Sequence, residues 1–238
     1  GYPKGGWKQV IDKLIESIKQ NNGLIFTEKP VSSVIYENDK AVGVRLKDVD
    51  EMADFVILSI PMKEVAKLLP EKLLGTDYIR KLQNYETGSA IIMDIAVDGE
   101  IITDNYDTIL YVEPLILMRQ SSKFDKTIVP PGKNLLTVLM PVQIKNRNSK
   151  IMTEKFEYLE KFVDEIFPGL LKRALFVRKL IFDQVAGIYP KVNQTRRTMP
   201  SVSIPKLKNL FLVGDTVNSA GIGESSDTAF SSARSEEH

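Results

Sequence analysis

A chain of 238 residues with 43% hydrophobic side chains is long enough and apolar enough to build a sizeable core. Thirty-two basic residues balance thirty-one acidic ones to a net charge of +1, so electrostatics gives no reason to expect a nucleic-acid partner. The absence of cysteine excludes disulfides, thiolate metal sites and cysteine nucleophiles, and the single histidine, His238, is terminal, which excludes a Ser-His-Asp triad and a histidine metal cluster.

The missing cysteines suit an intracellular, cytoplasmic protein. No run approaches the roughly 20 apolar residues of a membrane span, and the first residues lack the form of a signal peptide. In chain order, Gly5-Gly6 precedes Trp7, Val10, Ile11, Leu14, Ile15 and Ile18, whose three-and-four spacing predicts a helix stopped at Asn21-Asn22-Gly23. Leu24–Thr27 reads as a short strand, and 31–37 with 41–46 as a hairpin turned at Asn38-Asp39. Phe55–Ser59 is a continuous apolar run, expected as a fully buried parallel strand ended by Pro61, with a helix at about 63–69.

From Ser89 longer strands are expected at 91–97, 109–112, 115–119 and 135–140, then a helix over Thr153–Phe167 with the threonine as its cap, and a strand over Phe176–Asp183. The stretch 187–206, rich in proline and basic residues, reads as a returning connection. Asn209 to Asp215 is a buried strand that leads through 216–223 into helical sequence at 224–234. A strand passing through glycines into a helix presents unpaired N–H groups to an anion. By itself, Gly214-Asp215 followed by Gly221-Ile222-Gly223 is no more than a turn, and its spacing is not the GxGxxG dinucleotide fingerprint.

Three segments nevertheless occur in one order: Tyr2 to Trp7 with Pro30 to Val34, Ala41 to Val44 and Asp54 to Ser59; Ser121 to Asp125 with Ile128 to Lys133; and Asn209 to Asp215 through Ala229, Ser232 and Ala233. In this order the chain resembles the FAD-dependent amine oxidase superfamily, and its second segment is similar to the phytoene desaturase (phytoene dehydrogenase) branch. The resemblance implies an α/β fold in which a partial FAD-binding, Rossmann-like domain (1–66 and 200–238) is interleaved with a mixed-sheet substrate domain (67–199). It implies a C-terminal stretch of such an enzyme, without the GxGxxG segment and therefore neither retaining FAD nor active alone. The parent enzyme would pass a hydride from an organic, apolar substrate to FAD.

Residue by residue, the resemblance assigns Val31 to the adenine edge, Gly214 and Asp215 to a ribityl hydroxyl or the phosphates, and Gly221, Ile222 and Gly223 to the pyrimidine end of the flavin. No catalytic side chain and no metal ligand is assigned. Lys4 and the Arg196-Arg197 pair read as solvated, and Trp7 as an anchor for its helix. Ser231-Ser232-Ala233 stands where the family often has a serine-glycine pair, which puts close packing there in question. The alternative is a lipid-escort protein of the Rab GDP dissociation inhibitor type, which shares the fold without redox chemistry. Partners expected are a small, hydrophobic molecule, peripheral membrane contact and self-association through apolar faces, with no nucleic acid.

Overall fold

The structure, a computed structural model, describes residues 3–102, 106–143, 149–186, 193–218, 229 and 232–233. In chain order its elements are α1 (Trp7–Gln20), β1 (Ser33–Glu37), β2 (Lys40–Arg45), β3 (Asp50–Met52), β4 (Val56–Leu58), α2 (Met62–Leu68), α3 (Glu71–Leu74) and α4 (Thr76–Gln83). There follow β5 (Gly88–Asp98), β6 (Thr108–Val112), β7 (Leu115–Arg119), α5 (Ser121–Phe124), β8 (Lys133–Pro141), α6 (Ser149–Ile166), β9 (Ala174–Ala186) and β10 (Leu210–Leu212). The fold is mixed α/β, as the resemblance implies. It comprises two compact units, Gly1–Ile25 with Ser89–Val185 and Phe26–Gly88 with Ala186–His238.

The first unit is built on a five-stranded sheet in the order β6-β7-β8-β5-β9. Alternation along β5 and β8 sends Ile91, Met93, Ile95, Val97, Leu136 and Val138 to one face, where each is 0% exposed. Met152, Phe156, Leu159 and Val163 of α6, spaced four, three and four, close over that face and form one core with it. The helix begins at Ser149, four residues before the threonine cap read from the sequence, so Thr153 lies inside it.

A buried polar knot fixes α5 against β8. Asn134 Oδ1 accepts from Gln120 Nε2 and from Ser122 Oγ, both at 2.9 Å, while Asn134 Nδ2 donates to the Gly99 carbonyl at 2.8 Å. Just beyond it Asp125 accepts from Thr127 N at 2.9 Å and Thr127 Oγ1 at 2.7 Å, and from the Gly5 amide. That last bond ties together two of the segments that carry the resemblance, 120 residues apart in sequence. Gly5 and Gly6 take φ of 79° and 77°, the left-handed conformation that suits glycine. Helix α1 contributes no buried residue, and Trp7, Ile11, Leu14 and Ile18 are 43–53% exposed. Trp7 is thus no interior anchor.

In the second unit β1, β2 and β3 form an antiparallel sheet, and β4 and β10 pair in parallel. Asn38 turns the β1–β2 hairpin at φ 53°, as read from the sequence. The core gathers Val34 and Ala41 from the hairpin, Val56 and Leu58 from β4, Val65 from α2 and Leu212 from β10. Leu69, Leu74, Ile79, Leu82 and Tyr85 join the same cluster, which keeps the chain in this unit to Gly88. The compact units divide at 25/26, 88/89 and 185/186. Helices α3 and α4, absent from the sequence reading, cover this core with Leu74, Ile79 and Leu82.

Two strand expectations meet a different outcome. Leu24–Thr27 forms no ladder among the described residues, and Leu24, Ile25 and Phe26 are exposed. β4 is buried on one side only: Val56 and Leu58 face the core, but Phe55 and Ile57 are 63% and 55% exposed.

Candidate functional site

The site grows from the parallel pair of β4 and β10. Asn209, at φ 61°, turns the chain into β10 and anchors it on both flanks: its Nδ2 donates to Asp54 O at 2.7 Å, and its carbonyl accepts from Val56 N at 2.8 Å. β10 then runs in register with β4, Leu210 beside Val56 and Leu212 beside Leu58. Its other edge is held by Leu212 N, which donates to Val202 O at 2.8 Å. Val213 N donates to Leu58 O at 3.1 Å, so both strands finish side by side, with Ser59 following one and Gly214-Asp215 the other. The carboxyl ends of parallel strands are where open α/β sheets take their ligands.

Gly214 has φ 134°, a conformation side chains rarely adopt, and a Cβ built on it would meet nothing within 4 Å. Its main chain is therefore open to close approach. Ser232 locks this strand end from eighteen residues away. Its hydroxyl, 0% exposed, accepts from Gly214 N at 2.9 Å and donates to Ala229 O at 2.8 Å. The serine that replaces the family's serine-glycine pair is thus packed closely, which answers the doubt raised by the sequence. Val217 N closes the turn on Gly214 O at 3.3 Å.

Asp215 is half-buried. Its charge reaches the Tyr85 phenol: burial first, and the Asp215 carboxylate second, push that group up to about 12. Tyr85 is 4% exposed, and its hydroxyl has no hydrogen-bond partner among the described residues. The phenol therefore stays protonated at neutral pH and has a proton available to donate. Sequence reasoning placed Ser232 in the third segment without giving it this role and missed Tyr85, because each acts through a contact across the fold.

The remaining predicted residues divide clearly. Val31 precedes β1, exposed, and its main-chain N–H and carbonyl make no hydrogen bond among the described residues, whereas the next residue, Ser32, donates N–H to Arg45 O at 2.8 Å. Gly221, Ile222 and Gly223 lie outside the described residues. Lys4 and Arg197 are exposed, as expected. Among the described residues no helix is long and apolar enough to cross a membrane.

Comparison with known proteins places the chain in a family. Pyridine nucleotide-disulfide oxidoreductase domain-containing protein 2 of Mus musculus is 24% identical over 76% of this chain and 38% of its own length. The 4,4'-diapolycopen-4-al dehydrogenase of Metabacillus indicus is 20% identical over 92% of this chain and 50% of its own. A solved oxidoreductase from Methanosarcina mazei superposes with a TM-score of 0.79 at 25% identity, covering 99% of this chain and 55% of that one. The chain spans half or less of the length of these two curated relatives. Residues 1–236 match the flavin containing amine oxidoreductase family, and the chain belongs to that family.

Proposed function

We propose that this chain forms part of an FAD-dependent oxidoreductase that removes a hydride from an organic, apolar substrate, with the second unit holding FAD and the first unit the substrate. The observation that carries the reading is the paired end of β4 and β10, where an open glycine and a half-buried carboxylate follow two parallel strands. These groups fit the cofactor. Gly214 leaves room for a ligand against the main chain, Asp215 supplies an acceptor for a ribityl hydroxyl, and Val31 offers an unpaired N–H and carbonyl of the kind an adenine edge needs. Ile222 and Gly223 are assigned, on the resemblance alone, to the pyrimidine end of the flavin, where N–H donors stabilise developing negative charge.

When bound, FAD supplies the hydride acceptor, so the protein's tasks are binding, orientation and exclusion of water. Ser232 holds Gly214 in place, and Tyr85 provides a protonated phenol that burial and then the Asp215 carboxylate keep from ionising. The likeness to a 4,4'-diapolycopen-4-al dehydrogenase supports an apolar substrate. The lipid-escort alternative draws no support from these relatives.

The test is an FAD titration, followed by flavin fluorescence and visible absorption, of the chain joined behind a glycine-rich nucleotide-binding segment. Binding is expected, and Asp215→Ala should weaken it roughly tenfold to a hundredfold, the worth of one charge-assisted hydrogen bond. Absence of binding, or an unchanged affinity for Asp215→Ala, refutes the assignment.

A further inference from the structure

The face of the five-stranded sheet opposite α6 carries a pattern that only strand register makes visible. Along β6, β7, β8 and β5 the partners in one row are Thr108, Arg119, Thr137 and Asp94. The row continues onto β9, where Arg178 donates to Asp94 Oδ2 from Nε at 3.1 Å and from Nη2 at 2.6 Å. Thr137 Oγ1 donates to Asp94 Oδ1 at 2.7 Å, and Arg119 Nε donates to Thr108 Oγ1 at 3.3 Å. Polar side chains thus cross the whole sheet. The rows on either side are hydrocarbon: Leu110, Leu117, Leu139 and Ile92 on one, Leu135 and Ala96 on the other.

A carboxylate on an apolar face is costly unless it is paired, and Asp94, 7% exposed at its side chain, is paired. Arg178 directs its bonds at a single oxygen of Asp94 and remains 62% exposed. A guanidinium carries five N–H groups in a planar fork, so Arg178 keeps donors unspent, as does Arg119, whose guanidinium carbon lies over the Phe124 ring, 5.5 Å from its centroid. Among the described residues these donors have no other hydrogen-bond partner. Two guanidiniums against one carboxylate leave the row with one net positive charge, which would repel an amine and which an alcohol would not neutralise. Four strands at about 4.8 Å spacing give the leucine-isoleucine row a span of roughly 14 Å.

The geometry points to the carboxylate end of an elongated apolar molecule as the occupant of this row, the hydrocarbon lying along Leu110, Leu117, Leu139 and Ile92 and the carboxylate accepting from Arg119, whose guanidinium bonds only the neutral Thr108 while Arg178 is already paired with Asp94. This rests on the reading of the first unit as the substrate-binding part, not on the flavin site.

cis-Parinaric acid and its methyl ester, titrated into the full chain and followed by polyene fluorescence, provide the test. The acid should bind roughly tenfold tighter than the ester, as a charge-assisted pair requires. Arg119→Gln, which touches no carboxylate, should reduce that preference. Asp94→Asn combined with Arg178→Gln, which removes a neutral pair and leaves the row's net positive charge on Arg119, should leave the preference in place, and both variants leave the ester's affinity unchanged. Equal binding of acid and ester, no binding of either, or a preference that survives in Arg119→Gln overturns the inference. So does a dimer that excludes the probe and dissociates in the Arg119→Gln variant, because a second copy would then be the occupant. No flavin enters the measurement. A failed FAD titration leaves an acid preference standing, and a missing preference with intact FAD binding removes only this proposal.

Discussion

Replacing Ser232 by alanine removes one oxygen from the interior and almost no volume, so its effect isolates two hydrogen bonds. The Gly214 amide loses its acceptor at 2.9 Å and the Ala229 carbonyl loses its donor at 2.8 Å. A buried amide left unpaired costs about 1–3 kcal/mol, against which alanine's better helix propensity returns about 0.5 kcal/mol. A net loss of about 1–2 kcal/mol should appear at the strand end itself. Amide hydrogen exchange of the peptide covering 210–217 is the direct assay, because opening there no longer has to break the Ser232 bond. Exchange at Gly214 should speed up roughly fivefold to thirtyfold, with β5 and β8 in the other unit unchanged. Unchanged exchange at Gly214 in Ser232→Ala would refute the claim that this hydroxyl holds the candidate flavin loop.

Two further outcomes follow from the first unit. Asp125 lies below the usual carboxylate value, held there first by the Thr127 hydroxyl and then by the Gly5 and Thr127 amides. A depressed carboxyl contributes stability above its unfolded value, near 4, and loses it as pH falls through the lower folded value, so the tie from Asp125 to Gly5 should loosen below about pH 4. Trp7, the only tryptophan, starts α1 and reports the event: its emission should shift on acidification in the native chain, while Asp125→Asn shows the acid spectrum already at neutral pH. Identical titrations of the two would exclude the tie. The exposed stripe of Trp7, Ile11, Leu14 and Ile18 should drive concentration-dependent association in sedimentation velocity, and Ile11→Glu with Leu14→Lys should abolish it without loss of helix. A wild-type chain that stays monomeric at high concentration contradicts this.

Periodicity was enough to locate α1, the β1–β2 hairpin, α2 and α6, because in each the apolar spacing is local and a turn or breaker marks an end. It failed where burial depends on a distant partner. The run Phe55–Ser59 has the composition of an interior strand, yet only Val56 and Leu58 meet the core, and Leu24–Thr27 pairs with nothing among the described residues. Helices α3 and α4 escaped because each is short, with apolar residues too few to establish a period. Of the candidate site, Val31, Gly214, Asp215 and Ser232 were named from motif order, whereas the bond from Ser232 to Gly214 and the place of Tyr85 were not legible, since a serine in a helix and a tyrosine before a strand are ordinary until the fold brings them to Gly214 and Asp215.

The sequence by itself determined the class of the fold, the family and the glycine-aspartate strand end, because those depend on residue identity at short range: spacing, turn chemistry and a motif read in order. Only the tertiary structure decided where the compact units divide, which residue clamps Gly214, and that Thr108, Arg119, Thr137, Asp94 and Arg178 form one row. The physical reason is register. In a sheet, a shift of one residue moves a side chain to the opposite face, so which side chains share a row is fixed by hydrogen bonds between strands up to eighty-four residues apart and by no property of any one strand.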